Sequence, residues 1–204
     1  MSRSVNQPAN QAASQAVKRP SVFFAALLRG TAAKRFEQVF AASGLPHKPG
    51  STGWPTGNRH QSLSDLMPHP LDLKRLLKVG AGVRCAPVLL KLDRIESRGS
   101  KAPVHWELRA EKSTALEHLL DAIRLSLLQQ GFEKGARNTP HVTLSYRAPT
   151  ALPEPLRFAP IEWRIDQFQL LRSTGHGPTY HYEELGHWVL DGEPAPQHEQ
   201  IALL

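Results

Sequence analysis

Residues 139–146, TPHVTLSY, determine the fold that this sequence predicts, because they contain a pattern that occurs twice in the chain. Residues 59–63, RHQSL, have the same order: a histidine, any residue, a serine or threonine, then a leucine. In a β-strand, side chains two positions apart share a face, so each copy would direct an imidazole and a hydroxyl group to one side. Two such strands facing each other would form a site the size of a phosphate group.

Each copy predicts one polar strand face. These polar faces would contain His141, Thr143 and Ser145 in the second copy and His60, Ser62 and Ser64 in the first. The opposite face of the second copy is apolar and would pack in a core through Val142, Leu144 and Tyr146. The second copy is therefore typical of a strand that forms the wall of a cleft.

Two histidines with two hydroxyl groups suit acid–base catalysis at a phosphate. Imidazole gains or loses a proton near neutral pH, and a hydroxyl group can donate a hydrogen bond to a phosphoryl oxygen. A single strand histidine is more often a surface or structural residue. Because His60 and His141 lie 81 positions apart, in corresponding places of two similar halves, we interpret both as catalytic candidates.

The chain around the two copies predicts alternating strands and helices. Strands are expected at residues 22–28, 88–95, 104–110, 161–171 and 187–190, with helices at 31–43, after Asp72, and at 114–130. Asp72 would cap the second helix, and a capping box of Thr114 and Glu117 would begin the third. Three large aromatic side chains are expected in the core: Trp106, Trp163 and Phe168.

The formal net charge of +7 arises at the beginning of the chain. Residues 1–60 contain eight lysines and arginines against one acid, Glu37, whereas the remaining residues are balanced. A basic first third that leads to His60 suits a polyanion such as RNA, which attracts cations through its phosphates. The alternative is a solvated basic face without a ligand.

Several protein classes are excluded or disfavoured. One cysteine, Cys85, excludes an intramolecular disulfide framework, and the sequence has no Cys/His array with zinc spacing. The spacing of His176, His181 and His187 fits neither one strand face nor a helical pair, so we expect no metal. The most apolar run, residues 22–28, is too short to cross a bilayer. We expect a cytoplasmic protein without a membrane segment.

One globular domain is expected, at residues 21–191 and divided into two lobes. Residues 1–20 are rich in Gln, Asn, Ala and Ser without a periodic pattern, which predicts a disordered leader. Residues 192–204 are rich in proline and predict a loose tail.

The paired motifs resemble those of the two-histidine (2H) phosphoesterase superfamily, in its bacterial branch of 2'-5' RNA ligases and RNA 2',3'-cyclic phosphodiesterases. The resemblance covers residues 21–191. It depends on the HxTx-type motifs RHQSL at 59–63 and TPHVTLSY at 139–146. It also includes IEWRIDQFQLLRS at 161–173 and YHYEELGHWVL at 180–190.

The resemblance implies a bilobal α+β fold in which each lobe has an antiparallel sheet with helices on its outer face. The motif strands would line a central cleft. His60 and His141 would be the catalytic residues, and Ser62 and Thr143 would bind the substrate phosphate.

The sequence departs from the family pattern at two places. Arg59 occupies the position before the first histidine, where the family usually has an apolar residue. Tyr146 occupies a position where many relatives have arginine, and Arg147 follows it. Tyr146 and Arg147 are therefore further candidates for substrate binding.

The implied activity is a metal-independent phosphodiesterase, without a cofactor, that opens 2',3'-cyclic phosphate ends of RNA to a 2'-phosphate. By resemblance, His60 would donate a proton to the leaving ribose oxygen and His141 would accept one from water. With a 5'-hydroxyl RNA end as nucleophile, the same pair would join two ends through a 2'-5' linkage. The partner would be an RNA or nucleotide, and we expect a monomer.

Two alternatives remain at this point. One is a catalytically silent RNA-binding module that keeps the fold and the basic charge. The other is a 2H phosphodiesterase that acts on a small nucleotide.

Overall fold

The computed structural model describes residues 21–45, 56–68, 72–99, 104–133, 139–175 and 180–193. Within these ranges the strands are β1 Ser21–Leu27, β2 His60–Ser62, β3 Met67–Pro68, β4 Val88–Arg98, β5 Val104–Ala110, β6 His141–Ala148, β7 Leu156–Ile165, β8 Gln167–Thr174 and β9 His181–Val189. The helices are α1 Gly30–Ala42, α2 Leu73–Gly82 and α3 Thr114–Gln129, with a 3-10 turn at Thr56–Asn58.

The described strands form two antiparallel sheets. The first sheet has the order β2-β1-β8-β9, with β3 also paired to β1, and the second has the order β6-β5-β4-β7. The two histidine strands, β2 and β6, are edge strands of different sheets and contact each other. This arrangement is the α+β, two-sheet fold that the sequence predicted.

The main core forms where the two sheets and the helices meet. Strand β1 shows why, because its side chains alternate between faces: Val22 and Phe24 enter the main core, whereas Phe23 and Ala25 pack on the opposite face with Leu171. Trp106, Trp163 and Phe168 are also in the main core, as predicted. His60 lies on the Phe23 side, which we call the cleft face of the first sheet.

The helix beginnings are partly as predicted. Asp72 caps α2, since its carboxylate accepts a hydrogen bond from the Arg75 backbone N–H at 3.1 Å. The capping box at Thr114 is wrong: Ser113 is the cap residue of α3, and its hydroxyl accepts from the Leu116 backbone N–H at 3.2 Å. Both residues are good caps, and the extended backbone of Ser113 leaves its side chain free to reach the first turn.

The single strand predicted at residues 161–171 is also wrong, because the structure contains two strands there. β7 ends at Ile165 and β8 begins at Gln167, and the two belong to different sheets. The chain turns at Asp166, whose carbonyl accepts from the Leu190 N–H at 2.7 Å. Apolar alternation continues across the turn because both strands face the same core. The last strand, β9, begins earlier than predicted.

Some predictions concern other parts of the chain. The predicted leader, residues 1–20, and residues 194–204 of the predicted tail lie outside the described residues. Among the described residues, no helix is long and apolar enough to cross a membrane.

Candidate active site

His60 occupies an aromatic recess on the cleft face of the first sheet. Its ring centroid lies 5.1 Å from that of Phe23 and 5.2 Å from that of Tyr182, and the residue is only 9% exposed. The ring Nδ1 lies 2.7 Å from the Asn58 carbonyl oxygen. Because a carbonyl only accepts, Nδ1 must carry the proton of this bond, which leaves Nε2 to exchange protons.

The surroundings of His60 favour its neutral form. Burial is the largest cause that lowers the pKa of His60, the hydrogen bond to Asn58 raises it, and the charge of His141 lowers it, with a net pKa of about 4. At neutral pH in the free protein, His60 is therefore an uncharged imidazole.

His141 is held in the same way on the opposing strand. Its Nδ1 lies 2.9 Å from the Thr139 carbonyl oxygen, so this ring too is anchored to the carbonyl two residues earlier, with Nε2 left for chemistry. In β6 it pairs with Arg109 of β5, and the side chains of directly opposite residues share a sheet face. Because β2 and β6 contact each other, the charge of His141 also acts on His60.

A side chain between the two histidines joins their strands. Gln61 is fully buried, and its Oε1 accepts from the backbone N–H of His141 at 2.7 Å. Its Nε2 donates to the Ser62 carbonyl at 2.9 Å and to the Thr139 carbonyl at 3.3 Å. One amide thus bonds to the backbone of both motifs.

The hydroxyl residues at the third position of each motif lie on the histidine faces. In the first sheet, His60 pairs with Leu27 and Ser62 with Ala25, both on the cleft face. In the second sheet, Thr143 pairs with Glu107 two residues after His141. Thr143 is 9% exposed and hydrogen-bonds the side chain of Tyr146. The structure therefore places each hydroxyl beside its histidine.

The prediction that Ser145 shares the polar face is wrong. The pairing shifts between Glu107–Thr143 and Trp106–Ser145, so Leu144 is an extra residue in β6. This bulge turns Ser145 toward Trp106, and its hydroxyl accepts from the Arg147 N–H at 3.1 Å.

Tyr146 is consequently on the opposite face from that predicted. Its phenol reaches Thr143, its ring lies 5.1 Å from that of His105, and it interacts electrostatically with Tyr180. Burial raises the pKa of Tyr146, and burial together with Tyr180 raises the pKa of Tyr182 far above the ordinary range. Both phenols thus remain neutral donors near the histidines. Arg147 is exposed on the same strand.

Ser64 does not share the face of His60 and Ser62 in the predicted manner. Strand β2 ends at Ser62, and the Ser64 hydroxyl accepts from the Phe24 N–H at 2.9 Å while it donates to the Asp65 carbonyl at 3.0 Å. This hydroxyl replaces a strand partner for β1, so its role is structural.

The unusual Arg59 is buried rather than exposed. Its guanidinium forms an ion pair with Glu37 and lies 4.7 Å from the centre of the Phe36 ring. Its carbonyl accepts from the Leu28 N–H at 2.8 Å. An arginine is tolerated here because α1 supplies both an acid and an aromatic face, and this contact fixes the residue before His60.

Four residues near the histidines were not identified from the sequence: Gln61, Tyr182, Glu107 and Arg109. Arg109 forms an ion pair of 2.6 Å with the Glu107 carboxylate and donates a hydrogen bond of 2.9 Å to the Thr139 hydroxyl, beside His141. Glu107 is 2% exposed. The available signal was the alternation of β5, which places Glu107 and Arg109 opposite the core residues Trp106 and Leu108.

Other candidates have structural partners. Arg172 forms two bonds of 2.8 and 2.6 Å from one nitrogen to the carboxylate of Glu183 on the neighbouring strand. His181 bonds to the Thr174 hydroxyl and His187 to the Glu184 carboxylate, while His176 lies outside the described residues. In the described part of the chain, no three His, Cys, Asp or Glu side chains are grouped so as to hold a metal ion.

The structure of this chain aligns with several solved structures of other proteins. LigT of E. coli in complex with 3'-AMP aligns with a TM-score of 0.67 at 22% identity, and TT0787 of Thermus thermophilus with 0.67 at 21%. A structure described as a phosphoesterase aligns with 0.65 at 23%. Each alignment covers 85% of this chain and 99% of the other. Neither a protein-family model nor a curated protein matches the chain. The chain therefore has the same fold as LigT and TT0787, in keeping with the fold that its two histidine motifs predicted.

Proposed function

We propose that this protein is a phosphodiesterase that opens 2',3'-cyclic phosphate ends of RNA to a 2'-phosphate by two-histidine acid–base catalysis. The observation that most supports this proposal is the matched anchoring of His60 and His141. Each Nδ1 is bound to the carbonyl two residues earlier, on facing strands, so both Nε2 atoms are available for proton transfer.

The reaction requires two proton transfers. A water oxygen attacks the phosphorus atom while one imidazole removes a water proton, and the bond from phosphorus to the ribose 3'-oxygen breaks. The other imidazole, as imidazolium, supplies the proton that this leaving oxygen needs. When the 5'-hydroxyl group of a second RNA end replaces water, the same steps produce a 2'-5' linkage.

The proton donor must be charged before the bond breaks. The resemblance assigns this role to His60, whose pKa of about 4 makes it neutral in the free protein at pH 7. A bound phosphate anion stabilises an adjacent imidazolium ion, so substrate binding would raise this pKa. We therefore propose that His60 becomes protonated together with substrate binding, while His141 accepts the proton of water.

Hydroxyl groups near the histidines would stabilise the phosphoryl oxygens. Ser62 and Thr143 lie beside their respective histidines, and Tyr146 extends the group as a neutral phenol. Such donors stabilise the negative charge that develops in the transition state. Arg147 is the exposed cation on the same strand, and we propose it as a phosphate contact from the substrate side.

Structures with this fold hold nucleotides. LigT of E. coli has been crystallised with 3'-AMP, with NADP+ and with ATP. These complexes support a nucleotide as the unit bound by this chain, and they favour a phosphodiesterase for small nucleotides as the second candidate. The excess of basic residues before His60 favours the longer RNA substrate.

Product analysis tests the proposal. The protein is incubated with a nucleoside 2',3'-cyclic phosphate in the presence of a metal chelator, and the products are separated. We expect only the 2'-monophosphate, with turnover lowered by about two to four orders of magnitude in His60→Ala and in His141→Ala. Binding without turnover would instead identify a silent RNA-binding module, and faster turnover of small nucleotides than of RNA ends would identify the second candidate.

The donor role of His60 has its own test. A nucleotide p-nitrophenyl diester has a leaving group that needs no proton. We expect His60→Ala to retain much more activity on this diester than on the cyclic phosphate, whereas His141→Ala loses activity on both. The reverse pattern would exchange the two roles.

A further inference from the structure

We infer that Gln61 is a positioning residue that sets the distance and orientation between the two imidazoles. Its effect on turnover rests on the proposed function, but its effect on the geometry of the histidines does not. Gln61 follows His60 directly in β2, so any displacement of its side chain relative to β6 changes the relation between the two motifs.

The contacts of Gln61 reach the two groups that hold His141 in place. Its Oε1 accepts from the backbone N–H of His141 at 2.7 Å, which fixes the start of β6. Its Nε2 donates to the Thr139 carbonyl at 3.3 Å, and the same oxygen accepts from the His141 ring at 2.9 Å. A carbonyl oxygen has two lone pairs and can accept both bonds. The amide therefore bonds to the carbonyl that orients the catalytic ring.

Because Gln61 is buried, the loss of its hydrogen bonds would not be compensated by water. Gln61 is 0% exposed, so water does not replace its partners, and an apolar side chain of the same length would leave a buried N–H and part of a carbonyl without bonds. Bonds at Arg59, Leu63 and Ser64 hold the β2 segment against β1, whereas the Gln61 amide bonds to the backbone of His141 in β6. The join between the motif strands therefore depends strongly on this one amide.

A hydrogen bond that only stabilises the fold would not affect the positions of the two histidines. The Ser126 hydroxyl donates to the Val79 carbonyl at 2.8 Å, is also buried, and joins α3 to α2 away from the histidines. Its loss would lower stability without moving the imidazoles. Ser126→Ala is therefore the matched control for Gln61.

The main test uses Gln61→Met, which keeps the length of the side chain and removes both polar atoms. We expect kcat on a nucleoside 2',3'-cyclic phosphate to fall about 10- to 100-fold while KM changes less than about threefold, since a displacement near 1 Å can have this effect. Gln61→Glu, whose buried carboxyl group stays protonated, keeps an acceptor for the His141 N–H and one donor for a carbonyl oxygen, so its loss of kcat should be intermediate. It also serves as the second variant if Gln61→Met does not fold.

A titration separates positioning from stability. The imidazole resonances of His60 are followed by NMR against pH in the wild type, Gln61→Met and Ser126→Ala. The pKa of His60, about 4 in the intact site, should rise in Gln61→Met, because the recess opens and His141 moves away. Ser126→Ala should lower the melting temperature but leave both kcat and the titration unchanged.

The outcomes are distinct. Unchanged kcat in Gln61→Met, or a lower kcat without any change in the His60 titration, would overturn the positioning role. If the wild type does not hydrolyse cyclic phosphates, the proposed function is wrong. In that case a shifted His60 titration in Gln61→Met would still support the geometric part of the inference, and an unshifted one would overturn it.

Discussion

Individual residues near the cleft differ mainly in what surrounds them. His60 and His141 have the same backbone anchor, yet His60 lies between two aromatic rings, whereas His141 begins the edge strand of the other sheet. Burial is the largest cause of the lowered pKa of His60. The same motif thus produces imidazoles with different environments, which is what a reaction with one acid and one base requires.

The lowered pKa of His60 predicts a pH dependence of stability. Between pH 6.5 and 4 the unfolded chain binds a proton at His60 and the folded chain does not, so acidification through this window destabilises the fold. The loss reaches about 3 kcal/mol below pH 4. We expect urea unfolding of His60→Gln to show a smaller loss across this window than the wild type. His118, exposed on α3, is the control, and an equal effect of His118→Gln would contradict the account.

The bulge in β6 predicts different roles for its two hydroxyl residues. Thr143→Val removes a donor beside His141 and should lower kcat about 10- to 100-fold, with the pH profile unchanged in shape. Ser145→Ala is the matched control, because the Ser145 hydroxyl bonds to the Arg147 backbone on the other face. Its kcat should remain within about threefold of the wild type by steady-state kinetics. Equal losses of kcat in both variants would mean that the bulge does not give Thr143 and Ser145 different roles.

At the scale of elements, local sequence signals predicted the helices and strands better than their ends. The apolar residues at helical spacing in α3 predicted one buried helix face, and the structure places them in the core: Leu116, Leu119, Leu120, Ile123 and Leu127. Its cap was misassigned because serine and threonine both cap helices, and only backbone geometry shows that Ser113 rather than Thr114 is the cap residue. The register shift at Leu144 was not predictable, because a bulge depends on pairing with β5 rather than on the β6 sequence.

The cap assignment leads to a stability prediction. Ser113→Ala should lower the free energy of unfolding by about 1 kcal/mol, since it leaves a backbone N–H of the first turn of α3 without its acceptor. Thr114→Ala should change it by less than about 0.5 kcal/mol, because exposed side chains without a cap role have small effects. Thermal and urea unfolding of the two variants measure this difference. A larger loss of unfolding free energy in Thr114→Ala than in Ser113→Ala would show that Thr114 is the cap residue.

For the whole molecule, the resemblance carried by the paired motifs was sufficient to predict a two-sheet α+β fold, but not that both motif strands lie at sheet edges. The motifs were also not sufficient to predict Gln61, Glu107 or Arg109. Gln61 acquires its contacts only when the two sheets come together. Glu107 and Arg109 acquire theirs within the second sheet and its flanking residues, and their sequence neighbours do not indicate these contacts. Arg59 is a similar case, because its partner Glu37 is brought near by the packing of α1.

The distribution of basic residues predicts a salt effect at this scale. Lys34 and Arg35 are exposed on α1, which also contacts Arg59 next to His60. Reversal of both charges should weaken RNA binding and flatten its dependence on salt, by about one unit of slope for each phosphate that is no longer bound. Reversal at Lys74 and Lys78, exposed on α2, is the control. Equal changes in affinity and salt dependence for both pairs, measured by fluorescence-anisotropy titration, would show that Lys34 and Arg35 do not lie on the RNA-binding surface.

The pH dependence of kcat/KM on a nucleoside 2',3'-cyclic phosphate, measured in the presence of chelator, tests the two-histidine account most directly. We expect a bell-shaped profile, because one imidazole must be neutral and the other protonated. The lower limb should lie at about pH 4, because kcat/KM reports the free protein, in which His60 gains a proton near pH 4 and the pair then has no neutral imidazole left to act as base. Chelator should change neither limb. A single rising limb, or activity that chelator abolishes and zinc or manganese restores, would contradict the account.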